Sequence, residues 1–438
     1  MPEILEFLQK RKRYTNEYFA SAGSRKTVLI CSHVWWTELM AHALLKLGYN
    51  VLVAEPWYLL WLEDAKFLHA DKIFSQWVQT LRKFKVQLVI GGNSTALAPH
   101  PKTKELLHRA AGVPAVHYWW DEPRTVPPIS RRGLSVYDYM NGLRDSRTLN
   151  VLWDADVCEE LRRFLSMDNV AHVPLATTPL LWESPGRPVL PSLDRLVKLC
   201  FLGNHAEDME ILDRADPKLV EWAGQVVDIK LANPDRPMPD CVENIGGPGE
   251  KRGNSARRPY ELAPNLKAEF ERWNILNALL SRRTRAPFVQ AAASALGADF
   301  TLIGKGWEKI GLTAAKEAGG VPGSKDHYAS AKASLNLTGG STHSGLSLRP
   351  YDIACSHGLV FTRYNRELPR LFEPGKQCVA FNTPEEMTVA LDRLVHAPHE
   401  HDAIIAAGHA RAAADHTWEE RLSRVLQLAR DRFGLPWD

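Results

Sequence analysis

Short apolar runs alternate with helical patterns through the first half of the chain. Residues 26–31 (KTVLIC) read as a buried strand, because so short an apolar run fits a strand covered on both faces. From 37 to 47 the apolar residues Leu39, Met40, Ala43, Leu44 and Leu47 recur at helical spacing. Gly48 stops that helix, and 49–53 begins the next strand. The crossover is long enough to join parallel strands. The same alternation predicts helices at 74–84, 104–111 and 157–164, and strands at 86–90, 115–118 and 150–153. Repeated units of this kind predict a doubly wound parallel sheet.

Val173-Pro174-Leu175-Ala176 closes this series, and Pro179, Pro185, Pro188 and Pro191 mark a linker. A second series starts at 198–204 and adds strands at 299–304, 333–337, 359–362 and 379–381. Residues 234–260 interrupt it. They are rich in Pro, Gly, Asn and Arg and read as a polar insertion rather than a lid. The expected organisation is therefore a domain over 1–178, a linker over 179–197, a second domain over 198–417, and a helix over 418–438 packing back across the domains. The fold class is α/β, with two doubly wound domains in tandem. A ligand is expected in the cleft between them, at the carboxyl ends of the strands.

With 438 residues, 45% hydrophobic and 24% charged, the chain is long enough for two globular domains and too apolar for general disorder. Lys plus Arg number 54 against 51 Asp plus Glu, a net charge of +3 that argues against nucleic acid as a partner. Arg252, Arg257 and Arg258 leave room only for a local basic face. The six cysteines lack zinc or redox spacing and read as reduced, buried thiols. At the N-terminus, basic residues follow the apolar stretch, the reverse of a secretion signal. That segment reads as an exposed helix, with peripheral membrane contact at most. The expected compartment is the cytoplasm.

Three motifs look chemical and are read more plainly. Asp154-Ala155-Asp156 has the spacing of a metal-binding acidic triplet, but it stands between strand and helix, so Asp156 is read as a helix cap. Gly304-Lys305-Gly306 lacks the third glycine of a dinucleotide fingerprint. His396, His399, His401, His409 and His416 have no cysteine company and read as solvated surface residues. Trp35-Trp36 and Trp119-Trp120 follow predicted strands, where they either stack on a ligand or pack the core.

The segment 328–421 carries the strongest constellation. It holds Tyr328-Ala329-Ser330-Ala331, then Leu348-Arg349-Pro350-Tyr351-Asp352-Ile353-Ala354, then Leu371-Phe372-Glu373-Pro374-Gly375 and His416-Thr417-Trp418. Upstream stand Trp120-Asp121-Glu122-Pro123, Phe201-Leu202-Gly203-Asn204 and Gly304-Lys305-Gly306-Trp307. In this order and spacing they resemble the CgeB-like glycosyltransferases of the GT-B group. The resemblance implies two Rossmann-like domains, with an acceptor in the N-terminal one and a nucleotide-sugar donor, UDP- or dTDP-linked, in the C-terminal one. It implies no metal and no other cofactor. It places Asp352 where the family usually has a glutamate that binds the donor ribose. A second glutamate common in retaining members is replaced by Ser344.

The residues themselves fit such chemistry. Breaking a sugar C1–O bond to a diphosphate without metal requires protein cations and N–H groups to take the developing charge. Arg349 stands just before a predicted helix, either as that cation or in a salt bridge with Asp352. The small residues of the 339–345 loop, including Gly340, Thr342, His343, Ser344 and Gly345, let backbone N–H groups approach phosphate. Gly203, Asn204 and Gly304 stand at strand ends, and Lys305 and Lys332 are further candidate cations. His33 is either a base for the acceptor hydroxyl or a loop histidine bonded to backbone. Asp121 and Glu122 are alternative bases or acceptor contacts. The acceptor is a protein, a glycan or a small molecule. A nucleotide-sugar 2-epimerase and a non-catalytic binding subunit are the competing readings.

Overall fold

The computed structural model describes residues 17–31, 35–54, 70–100, 102–125, 135–182, 188–205, 209–245, 266–315, 317–318 and 320–437. In the first half, β1 (Glu17–Phe19), β2 (Thr27–Cys31), β3 (Asn50–Ala54), β4 (Val86–Gly92), β5 (Ala115–Trp119), β6 (Thr148–Leu152) and β7 (Val170–His172) form one sheet. Its order is β1-β3-β2-β4-β5-β6-β7, parallel throughout except for β1, which runs antiparallel to β3. The residues of β2, β3, β5 and β6 are all buried, as expected for strands covered by helices on both faces. Those helices include α1 (Trp35–Lys46), α2 (Ala70–Lys83), α3 (Val136–Leu143) and α4 (Ala155–Leu165).

One expected helix shrinks to a single turn. Within 104–111 only Leu107–Ala110 is helical. Lys104 has φ 63° and the His100 ring accepts from the backbone of Lys102 and Thr103, so the chain leaves that turn too late for a longer helix.

The second sheet contains β8 (Val197–Leu202), β9 (Phe300–Ile303), β10 (Ala331–Asn336), β11 (Val360–Arg363) and β12 (Val379–Phe381), all parallel, in the order β12-β11-β10-β8-β9. Between β8 and β9 lies a helical arm that the periodicity did not separate: α5 (Pro217–Ala232), α6 (Met238–Ile245) and α7 (Leu266–Leu296). It has its own apolar core, with Trp222, Val226, Met238, Cys241, Trp273 and Leu276 packed against Phe164 of α4. The polar insertion expected over 234–260 therefore begins with a helix whose Met238, Cys241 and Val242 are buried; 246–260 lies outside the described residues. The 31-residue α7 connects three cores. Leu266 and Phe270 join the large core that holds much of the first sheet, Trp273 to Leu280 pack within the arm, and Phe288, Val289 and Ala292 pack under the second sheet.

α8 (Arg349–Cys355) joins β10 to β11, and after β12 come α9 (Pro384–His396), α10 (Asp402–Asp415) and α11 (Trp418–Phe433). Although α11 follows the second domain, it packs on the first. Trp418 meets Tyr118 edge-on at 5.7 Å, Lys46 pairs with Glu419 at 3.1 Å, and Trp437 Nε1 donates to Gln87 at 3.0 Å. The six cysteines are free and buried. The histidine cluster is not uniformly superficial: His401 and His416 are buried, and a His416 ring nitrogen lies 2.8 Å from the Leu371 carbonyl. No described helix is long and apolar enough to cross a membrane.

Candidate functional site

In both sheets the first strand of the series has its next strand on one side and the later strands on the other. In the second sheet that reversal falls at β8, between β9 and β10. A crevice opens at such a point, beyond the carboxyl ends of the strands. Gly203 and Asn204 leave β8 there, beside Gly304 and Lys305 from β9. Gly203 N–H donates to the Ile303 carbonyl at 2.8 Å, and Lys305 N–H donates to Asn204 Oδ1 at 2.9 Å. Gly304 has φ 142°, and a Cβ on it would lie 2.2 Å from the Gly203 carbonyl oxygen, so only glycine allows this approach.

Cations surround the pair of turns. Arg285 of α7 donates to the Asn204 carbonyl at 2.8 Å and reaches toward Gly339. Arg349 lies over the Phe201 ring at 5.4 Å, beside Gly203, with Asn336 Oδ1 at 3.5 Å. Lys305 is exposed. Burial, together with Arg282, Lys309 and Arg285, holds the His205 imidazole below its ordinary pKa. Such a concentration of positive charge at strand ends and glycine turns suits a diphosphate. Arg282 and Arg285 were missed from sequence, although the run Arg282-Arg283-Thr284-Arg285 was there to be read.

The 339–345 loop is placed differently from expectation. Gly340 lies against the Asn277 carbonyl and Thr342 is buried. The N–H groups of His343, Ser344 and Gly345 do converge on one oxyanion, but it is the Asp154 carboxylate at the end of β6. Their distances to Asp154 Oδ2 are 2.8, 2.8 and 2.9 Å. The other oxygen of Asp154 accepts from Val157 N–H at 3.0 Å. Asp154, not Asp156, is thus the cap of α4. Burial opposes the Asp154 charge, but His343 and the converging N–H groups outweigh it and hold the pKa below the ordinary value. Ser344 Oγ lies 2.6 Å from Glu367 and 2.9 Å from Asp154, and it accepts from Asp156 N–H at 3.0 Å. His172 Nε2 lies 2.9 Å from the same Glu367; burial lowers its pKa, yet Glu367 raises it further.

Behind this clamp is a buried network. Arg124 bridges Glu122 and Glu160 and stacks 3.5 Å from the Trp273 ring centre. His343 Nδ1 lies 2.7 Å from Glu160 and its Nε2 2.8 Å from Asn277 Oδ1. Burial lowers the His343 pKa, but the Glu160 carboxylate more than compensates and raises it. Glu122 is fully buried and committed to Arg124, so it is no acceptor contact. Asp156 is likewise internal: it accepts from Met238 N–H at 2.8 Å and pairs with Lys230 and Arg366.

Arg349 and Asp352 form no ion pair. Asp352 instead accepts from the Thr177 hydroxyl of the first domain at 2.7 Å. Burial pushes its pKa up to about 8, against the Thr177 hydrogen bond and the Arg349 charge. Lys332 is far from this end. It opens β10, and its ammonium donates to the Ser192 and Leu193 carbonyls, both at 3.2 Å. Its place at the amino end of the strand excludes it from the crevice.

On the first sheet the equivalent crevice lies at the ends of β2 and β4. His33 lies outside the described residues. Asp121 is exposed just past β5 and accepts from Asn93 Nδ2 at 2.8 Å. Asn93 Oδ1 in turn accepts from the N–H groups of Trp120 and Asp121. Trp120 meets Trp36 edge-on at 5.2 Å and covers Gly92, where any Cβ would collide with its ring. Trp119 points inward and is core. One tryptophan of the second pair therefore packs and the other faces the crevice.

Residues 282–427 match the family model described as Glycosyl transferase-like. That third of the chain holds Arg285, Lys305, the 339–345 loop, Arg349 and Asp352. No curated protein matches the sequence. Solved structures are similar along most of the chain. Sucrose-phosphate synthase from Thermosynechococcus elongatus has 12% identity, covering 94% of this chain and all of that one, with a TM-score of 0.48. A glycosyltransferase from Rickettsia africae has 10% identity over 93% of this chain and 98% of that one, TM-score 0.47. Anabaena Alr3699/HepE in complex with UDP has 9% identity over 93% and 100%, TM-score 0.47.

Proposed function

We propose that this protein is a glycosyltransferase that moves a sugar from a nucleoside diphosphate sugar to an acceptor hydroxyl. The observation that carries the reading is the cation cluster of Arg285, Lys305 and Arg349 around Gly203 and Asn204, whose three cations lie within the glycosyl transferase-like segment. In this reading the acceptor oxygen bonds to sugar C1 as the C1–O bond to the diphosphate breaks. The diphosphate leaves with the electron pair, and the cluster stabilises it. The acceptor proton passes to a base on the first domain, with His33 and Asp121 the candidates. The donor is UDP- or dTDP-linked, the chemistry needs no metal, and the enzyme works in the cytoplasm. The CgeB-like subgroup is part of the same proposal.

A thermal-shift panel of UDP, dTDP, GDP, ADP and CMP, with and without EDTA, tests it. One diphosphate should raise the melting temperature of the wild type, with EDTA making no difference. Arg349→Ala should weaken that nucleotide about tenfold or more, the worth of one charge-assisted hydrogen bond. No shift with any nucleotide refutes the donor site. It favours the binding-subunit reading, in which the Asp154 carboxylate fills the loop's N–H cradle permanently.

A further inference from the structure

We propose that His205 is a conditional cation of the donor site: neutral in the free protein, it takes up a proton as a diphosphate arrives and adds its charge to the cluster. His205 follows directly on the Gly203-Asn204 turn at the end of β8. Its N–H donates to the Lys305 carbonyl at 2.9 Å, which fixes it between the two turns. The ring lies 5.0 Å from that of Trp307, whose indole N–H donates to the Gly203 carbonyl at 2.8 Å. His205 is only 2% exposed, and its Nδ1 is buried without a hydrogen-bond partner among the described residues. The charged groups that face it come from two elements. α7 supplies Arg282 and Arg285, and the turn at Trp307–Ile310 supplies Lys309 and one acid, Glu308. Burial is the largest cause of the lowered pKa, the three cations add to it, and Glu308 opposes them.

Burial and neighbouring cations both act against the charged form of an imidazole. A permanent cation at this buried position, beside three others, would be costly in the free protein. A histidine escapes that cost by staying neutral. A nucleoside diphosphate reverses the local field, because its phosphates bring negative charge to the same two turns. The charged form is then favoured, and the ring binds a proton from solvent. The transfer step favours it further. As the C1–O bond breaks, the leaving diphosphate gains negative charge, and a protonated His205 stabilises that state more than the intact donor. No proton passes between His205 and either substrate. The proposal rests on the donor reading above and gives that site a pH dependence of its own.

The test is calorimetric titration of the full chain with UDP-glucose, dTDP-glucose and GDP-mannose, whose phosphates do not titrate near neutrality. Each titration is run in PIPES and in Bis-Tris, buffers of unlike ionisation enthalpy, so that the difference reads the protons exchanged. The nucleotide sugar that binds should take up about half a proton to one proton near pH 6.5 and almost none near pH 8.5. Its affinity should be about tenfold higher near pH 5.5 than near pH 8.5, the effect of a one-unit rise in pKa on binding. His205→Gln should abolish the uptake and flatten the pH curve, while matching the wild-type affinity near pH 8.5. Arg282→Gln, at an exposed position, should shrink the uptake near pH 6, because the ring is then partly protonated before the nucleotide arrives. This second variant serves if His205→Gln does not fold. Binding without proton uptake in the wild type overturns the proposal and leaves the donor reading standing. So does an uptake that persists in His205→Gln, or a variant curve that keeps the wild-type slope at lower affinity throughout. No binding of any of the three at any pH refutes the donor reading, and the role of His205 falls with it.

Discussion

Arg349 and Asp352 begin the same helix, yet they face different neighbours. The guanidinium stays at the β8 crevice, while the carboxyl turns to Thr177 of the other domain. An enclosed acid with one hydroxyl donor binds its proton more tightly folded than unfolded. Its stabilising contribution is therefore complete below the ordinary value of 3.8 and is lost as pH rises toward about 8. Asp352→Asn keeps an acceptor for Thr177 without a charge to bury. Its melting temperature relative to wild type should rise by several degrees between about pH 5 and pH 8.5, then level off. Parallel pH curves for the two proteins would contradict the shift. Arg124 presents the opposite case, a cation between two buried carboxylates. Arg124→Met should cost about 3–5 kcal/mol by denaturant unfolding, because Glu122 and Glu160 lose their shared partner. Arg124→Lys should recover little, since an ammonium lacks the planar fork and the stacking on Trp273.

The start of α4 and the 339–345 loop form one unit through Asp154. Asp154→Ala removes a helix cap, worth about 1 kcal/mol, and strands three backbone N–H groups at about 1 kcal/mol or more each. The expected loss is about 4 kcal/mol or more. Because the folded pKa of Asp154 is depressed, this advantage is full above the ordinary value of 3.8 and fades only as pH falls through the lower folded value. Denaturant titrations of both proteins at neutral pH and near pH 3 check both statements. None of this could be read along the chain. Most strands of the two βα series betray themselves by their own apolar runs, and glycines at 203 and 304 mark their own turns, whereas the three-residue β7, with only Val170 buried, leaves no such run. The Asp154 contacts join positions about 190 apart, so no local pattern reports them. Asp154 and Asp156 differ by two residues, and only packing decides which one caps. The helical arm escaped notice for a related reason. Pro234 to Tyr260 looks polar throughout, and α7 buries different faces against three cores, which blurs any single period.

The two sheet domains are held together by more than the clamp, because the chain returns to its beginning. Thr177 N–H donates to the His416 carbonyl at 2.8 Å, and Trp418 N–H donates back to Thr177 at 3.1 Å, so the exit of the first domain is stitched to the start of α11. Beyond that point Leu422, Val425, Leu426 and Ala429 are buried in the large core that holds α1 and much of the first sheet. The core of the N-terminal half is thus completed by a helix that lies beyond the second sheet in sequence. A chain ending at Thr417 should expose that apolar face. Amide exchange should then rise in β2, β3 and α1, while β9 and β12, at the edges of the second sheet, keep their protection. Restoring the missing segment as a separate peptide spanning 418–438 should recover the lost protection, since its apolar face and its partners at Lys46, Gln87 and Leu175 all remain. Uniform loss across both sheets would mean instead that the two domains unfold as one cooperative unit, through the Asp154 clamp and the α7 spine.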